Sequence, residues 1–254
     1  MKRAMAVLAA AMLLWGASAS ADTLDFLKPF WMQMMDGVSN TVSGKIPENV
    51  TVTCADERLT VEACGVLLEN DYSAEAHVYA VLKNTGSERL PIRSVQMTVL
   101  GANGNTLHQE NYVSYMPSVV EPGETMLVSE WMYDFVKEIG KVDSIQISVE
   151  TASRAHEKWK QLGDVRAWLD GDYLCVEFTN TSEKTLFGVI CAATVSDANG
   201  QILDMMMQSP YDTDDLGIAQ GSSIVWRKRL EDAATLKIGT DAACKAWAYW
   251  MEDL

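Results

Sequence analysis

The sequence predicts an all-β fold: two β-sandwiches in tandem, preceded by an N-terminal helix and joined by a short helix. Three observations predict it. From residue 46 onward apolar and polar residues alternate with period two, which turns one face of each strand inward. Turn signals rich in Gly, Pro, Asn and Asp separate these runs about every 8–12 residues, the rhythm of sandwich strands. A stretch of the first half also recurs in the second at an offset of 96 residues.

The elements follow in chain order. Residues 1–21 read as a signal peptide: basic Lys2 and Arg3, an apolar run from Ala4 to Trp15, then small residues from Gly16 to a cut after Ala21. The run is short for a bilayer span; an uncleaved anchor is the competing reading. No Cys lies near the cut, so a lipoprotein anchor is not indicated. No later run reaches 18 uninterrupted apolar residues, so no membrane span is expected after cleavage. The expected location is secreted or cell-surface, and periplasmic if the cell is Gram-negative.

Residues 22–45 predict an amphipathic helix. Leu24, Leu27, Phe30, Trp31, Met34 and Met35 recur at helical spacing, Pro29 suits a first turn and Gly37 an end. Only Lys28 is cationic there, so packing on the first domain is expected over a membrane-surface role. Residues 46–152 form the first sandwich, with strands at Val50–Cys54, Leu59–Leu68, His77–Lys83, Ser94–Leu100, Thr106–Ser114, Thr125–Trp131 and Ser144–Glu150. Asn103-Gly104 is a strong hairpin turn, because such turns need positive φ at both central residues. Residues 153–163 predict a connector helix, Ala155 to Gln161 supplying helix formers and Gly163 a cap. Residues 164–254 form the second sandwich, opening with strands at Val165–Leu169 and Asp172–Thr179.

The repeat gives these elements a common plan. Asn84, Thr85, Leu90, Thr98, Val99, Ala102, Asn103, Gly104 and Leu107 recur as Asn180, Thr181, Leu186, Thr194, Val195, Ala198, Asn199, Gly200 and Leu203. After a two-residue insertion, Pro122-Gly123-Glu124 matches Gln220-Gly221-Ser222. Val78, Ala80 and Leu82 correspond to Leu174, Val176 and Phe178; Val95, Met97 and Val99 correspond to Cys191, Ala193 and Val195. Two such inward stripes per copy are what a sandwich packs between its sheets. At these residues the chain resembles the FxLYD family of bacterial immunoglobulin-like modules. Asp197-Ala198-Asn199-Gly200 matches that family's D-A-x-G turn, and Leu82-Lys83-Asn84-Thr85-Gly86 and Pro122-Gly123-Glu124 match its flanking landmarks. The Phe-x-Leu-Tyr strand is replaced by Met97-Thr98-Val99-Leu100 and Ala193-Thr194-Val195-Ser196. The resemblance implies two tandem immunoglobulin-like sandwiches in a secreted or surface protein, and no catalytic residues.

Composition narrows the function. The 254 residues carry 20 Lys and Arg against 35 Asp and Glu, a formal charge of −15. Such a chain repels nucleic acid and anionic lipid. Five cysteines leave at least one thiol free or paired between chains; Cys54 and Cys64, flanking an expected hairpin, are the first candidates for a disulfide, and Cys191 reads as a small buried hydrophobe. Asp212, Asp214 and Asp215 could offer oxygen ligands to calcium, the one cofactor in view, although the spacing is not that of an EF-hand and a solvated acidic loop is the plainer reading. Trp247, Tyr249 and Trp250 could form a ligand platform, against the commoner alternative of core aromatics; Met205-Met206-Met207 reads as gap-filling. His77, His108 and His156 read as surface residues, and no nucleophile, metalloprotease or nucleotide-loop motif appears. The expected function is an exported, non-catalytic interaction module that binds a protein or polysaccharide. The alternatives are a structural spacer or subunit of an envelope assembly and, with no motif behind it, a hydrolase.

Overall fold

The computed structural model describes residues 50–69, 75–132, 142–153, 158–208, 217–230 and 238–252. The expected signal peptide and N-terminal helix lie outside these residues. From Lys45 to Leu254 the chain forms one compact unit.

Every regular element among the described residues is a strand. In chain order these are β1 (Thr51–Cys54), β2 (Leu59–Glu69), β3 (Glu75–Asn84), β4 (Leu90–Gly101), β5 (Thr106–Glu110), β6 (Ser114–Met116), β7 (Val119–Val120), β8 (Thr125–Met132) and β9 (Val142–Thr151). The second half adds β10 (Lys158–Gln161), β11 (Val165–Asp170), β12 (Tyr173–Thr179), β13 (Ile190–Ser196), β14 (Ile202–Gln208), β15 (Ser223–Arg229) and β16 (Ala243–Glu252). They build four sheets. The first runs β1-β9-β4-β5, with β7 also on β4; the second runs β2-β3-β8-β6; the third runs β10-β16-β13-β14; the fourth runs β11-β12-β15.

Strand alternation dictates where each sheet is covered. Val78, Ala80 and Leu82 of β3 are buried with Val95, Met97 and Val99 of β4, so the first and second sheets share one core. Leu174, Val176 and Phe178 of β12 are buried with Cys191, Ala193 and Val195 of β13 between the third and fourth sheets. This second core does not stop at its own sheets. Leu67, Tyr79, Val81, Met116 and Leu127, from the outward face of the second sheet, belong to it as well. The four sheets therefore stack in order, and the second packs its back on the back of the third. The stretch at residues 153–163 is where the chain passes from one core to the other.

The repeated polar residues hold equivalent bends. Asn84 Nδ2 donates to the Val120 carbonyl at 3.0 Å and to that of Glu88 at 2.8 Å. Asn180 Nδ2 donates to Ile218 at 2.7 Å and Lys184 at 2.8 Å. Gly123 N donates to the Asn84 carbonyl and Gly221 N to the Asn180 carbonyl, both at 2.8 Å. The hairpin turns match too: Gly104 sits at φ 73° and Gly200 at φ 81°, in the left-handed region that favours glycine. The repeated Asn is fully buried in both copies, which explains why it recurs: a buried amide that ties three chain segments cannot be lost cheaply.

Three expectations are corrected. Residues 158–161 are not helical: β10 pairs antiparallel with β16, Trp159 opposite Met251. The free edge of β16 offers backbone partners that outweigh the helix preference of Lys and Gln; residues 154–157 lie outside the described set. Thr106–Ser114 is not one strand, since β5 pairs with β4 and β6 with β8 in a different sheet. Cys54 and Cys64 do not flank a hairpin and are separate thiols. β1 pairs parallel with β9 and β2 antiparallel with β3, so the turn between them carries the chain from one sheet to the other.

Candidate functional site

The junction of the two cores carries the densest polar chemistry among the described residues. Along β3, His77 and Tyr79 face away from the first core; their neighbours on β8, Trp131 and Ser129, share that face. Across from them the edge strand β14 brings Asp204, and β15 brings Lys228. Both charges sit at inward positions. Asp204 occupies the row of Val195, and Lys228 that of Leu174.

Their partners form one chain of hydrogen bonds. Lys228 Nζ lies 2.6 Å from Asp204 Oδ1 and donates to the Met205 carbonyl at 3.2 Å. The Met205 amide donates to the same Asp204 oxygen at 2.7 Å. Tyr79 Oη donates to Asp204 Oδ1 at 3.0 Å. A phenol has a single proton, so its oxygen accepts from His77 Nδ1 at 2.8 Å. That leaves His77 Nε2 to accept from Ser129 Oγ at 3.3 Å. Every donor in the chain points toward the one buried carboxylate, which the ammonium neutralises. Burial and the nearby Lys228 charge push His77 down to about 4, so its ring is neutral at pH 7. Trp131 covers it, ring centroids 4.7 Å apart.

Two further contacts clamp the junction. Tyr249, fully buried, donates from Oη to the Thr125 carbonyl at 2.9 Å, and burial pushes its phenol well above the usual tyrosine range. Trp159 Nε1 donates to Ser118 Oγ at 2.9 Å. At Gly65 on β2 the approach is closest. A Cβ there would stand 1.8 Å from the Ile202 carbonyl oxygen, so only glycine lets β14 pass.

Beside the hydrogen-bond chain a cleft of about 750 Å³ opens to solvent. His77, Ser129 and Trp131 line it from the first half, and Met205–Gln208, Arg227 and Lys228 from the second. The Ser129–His77 contact resembles the start of a nucleophile–base pair. Here the far ring nitrogen ends on a phenol, and the carboxylate beyond is bound by lysine. The arrangement suits binding and locking the junction.

The sites expected from sequence fall elsewhere. Asp212, Asp214 and Asp215 lie outside the described residues, as does His156. Trp247, Tyr249 and Trp250 do not make a common platform. Tyr249 is buried in the junction, Trp247 and Trp250 are half-buried against the second core, and alternation along β16 sets Trp250 on the opposite face from the other two. His77, expected at the surface, is half-buried inside the chain just described. Sequence reading passed over Asp204 and Lys228 although they left a signal. Asp204 interrupts Ile202-Leu203-Asp204-Met205-Met206-Met207, and Lys228 continues the inward parity of Ile224 and Trp226. One unexplained charge at an inward position on each of two strands is the mark of a buried pair.

Neither a protein-family model nor a curated protein matches this chain. Among solved structures it is similar to red sea bream transglutaminase at 12% identity and a TM-score of 0.21. The overlap covers 69% of this chain and 27% of that one, so the chain spans about a quarter of that protein's length. A likeness this low carries no argument about fold or chemistry.

Proposed function

We propose that this chain is an exported, non-catalytic interaction module: two tandem immunoglobulin-like β-sandwiches of the FxLYD kind, locked back to front, that bind an extended protein or polysaccharide in the cleft at their junction. The observation that carries the reading is the cleft itself, one side from each half, beside a hydrogen-bond chain that fixes the two sides relative to each other. Pre-fixed walls bind without first paying to order themselves. The lining suits an adaptable contact: Trp131 gives a flat apolar anchor, and Met205, Met206 and Met207 repack around irregular shapes. Export is supported by the N-terminal basic, apolar and small-residue sequence, and the module type by the repeat and its turns.

The test is site-specific photo-crosslinking in the producing cells, with a diazirine side chain at Gln208 in the cleft and, separately, at Asn103, exposed on a hairpin turn whose residues do not line it. A discrete adduct from Gln208 that is absent from Asn103 is the expected result. No adduct from the cleft position, or the same adducts from both, overturns the proposal.

A further inference from the structure

The fourth sheet turns its back on the core and presents a second surface. Its outward rows are Arg166–Glu177–Val225, Trp168–Cys175–Arg227 and Asp170–Tyr173–Arg229 across β11, β12 and β15. The Arg227 guanidinium stacks over the Tyr173 ring at 4.8 Å, and that of Arg166 over Trp168 at 5.5 Å. Each stacked arginine also holds a carboxylate: Arg227 binds Asp170 at 2.9 Å, and Arg166 binds Glu177. Three arginines face two carboxylates on this surface, in a chain of charge −15. The Arg227–Asp170 pair and the Arg166 head are open to water; the side chains of Arg166, Asp170 and Arg227 are 73%, 62% and 51% exposed, and that of Glu177 is 21% exposed. Ion pairs this exposed contribute little, so an incoming carboxylate can replace the internal one at small cost.

The equivalent face in the first half is the one that docks on the third sheet, which raises the option that another copy of the chain docks here. The register rules against it. Gly65 stands opposite Tyr79, and Trp168 stands opposite Cys175, so Trp168 takes the place of the glycine that admits the Ile202 carbonyl. The apolar Val81 and Leu127 become Glu177 and Val225, and Ser129 and Trp131 become Arg227 and Arg229.

We infer that this surface binds a uronate-bearing polysaccharide. Trp168 and Tyr173 sit diagonally on neighbouring strands, about 7–8 Å apart between backbones, so the two guanidinium-capped rings make one continuous strip of flat apolar and cationic surface for a charged sugar chain. The stacked arginines present flat forks that already hold carboxylates, the geometry a uronate needs. The inference rests on reading the chain as a binding module and names a ligand class for it at the outward face of the fourth sheet, which shares Arg227 with the cleft lining but not Trp131.

The experiment is affinity electrophoresis of the full chain in gels containing polygalacturonate, dextran sulfate (a polyanion without uronate) or neutral pullulan, at 150 mM NaCl and without added divalent ions. An acidic chain is repelled by a polyanion in general, so retardation reports a local site. Retardation by polygalacturonate and not by pullulan is expected. Trp168→Ala and Arg166→Lys should each weaken it at least tenfold, while Tyr112→Ala, an exposed aromatic of the first half, leaves it unchanged; Trp131→Ala is measured beside them. Arg166→Lys keeps the charge and removes only the fork, so it decides the matter where Trp168→Ala does not fold. No retardation by polygalacturonate, equal or stronger retardation by dextran sulfate, or retardation unaffected by Arg166→Lys overturns the inference. Loss through Trp131→Ala instead would move the polysaccharide to the cleft, sinking this inference and leaving the proposed function standing.

Discussion

The outward faces of the second and fourth sheets are the same face of one repeat used twice, and they end in opposite states. In the first half it is buried: Tyr79 and Leu127 are fully covered, Gly65 lets a foreign carbonyl touch the backbone, and Asp204 arrives from the other half to accept the Tyr79 hydrogen bond. In the second half the matching positions hold Cys175, Val225 and Trp168, ringed by arginines, and Val225 and Tyr173 are exposed. The inward stripes stay apolar and buried in both copies. A repeat must keep its core to fold, while its outer face is free to become an interface or a solvated surface, as the end of a repeat array requires. The difference teaches that docking here depends on a few positions: a missing side chain at 65, a phenol at 79 and one buried ion pair.

The largest effect is expected from Lys228→Met. It leaves Asp204, whose side chain is fully buried, as an uncompensated charge, at a cost of about 3–5 kcal/mol. Chemical denaturation should show the loss; a change under ~1 kcal/mol would mean that water replaces the ammonium. Gly65→Ala should follow at about 3 kcal/mol, because its Cβ meets backbone and cannot be accommodated by a rotamer change. Trp168→Ala, the same row of the other copy, should cost about 1 kcal/mol at most, since it is only half-buried. Similar losses from the two would erase the distinction between docked and open faces.

Acid should act on the docked face through His77. His77 is held at about 4 against an ordinary 6.5, so the folded chain binds fewer protons than the unfolded one between those values. The stability it contributes is intact above pH 6.5 and drains away as pH falls toward 4, by at most ~3 kcal/mol at 1.36 kcal/mol per pKa unit. Unfolding midpoints of wild type and His77→Gln across pH 7 to 4 should converge as pH falls; parallel curves would exclude His77 as the cause. A smaller effect than that of His77 is expected from Tyr79→Phe. It removes one donor to Asp204 and one acceptor from His77 while keeping the ring, for about 1–2 kcal/mol by thermal unfolding. No change at all would show that the phenol is a spectator.

Much of the local plan was legible in the chain. The period-two stripes at Val78, Ala80 and Leu82 and at Leu174, Val176 and Phe178 are buried as expected, because alternation fixes which side of a strand is wet. Asn84 and Asn180, with the turns at Gly104 and Gly200, hold equivalent bends, because turn chemistry is set by the few residues within it. The site was legible only in retrospect. Asp204 and Lys228 are 24 residues apart and belong to different sheets.

By itself the sequence determined strand pattern, turn positions and the inward face of each copy, all of which depend on neighbours within a few residues. Tertiary structure alone decided that Lys158–Gln161 becomes a strand, that Tyr249 is buried instead of offered to a ligand, and that Tyr79 and Asp204 meet across two sheets. Those outcomes depend on which edge, and which back, the folded chain leaves available. Distant backbone and side-chain groups settle that by competing to bury surface and satisfy hydrogen bonds, and no local pattern encodes the result.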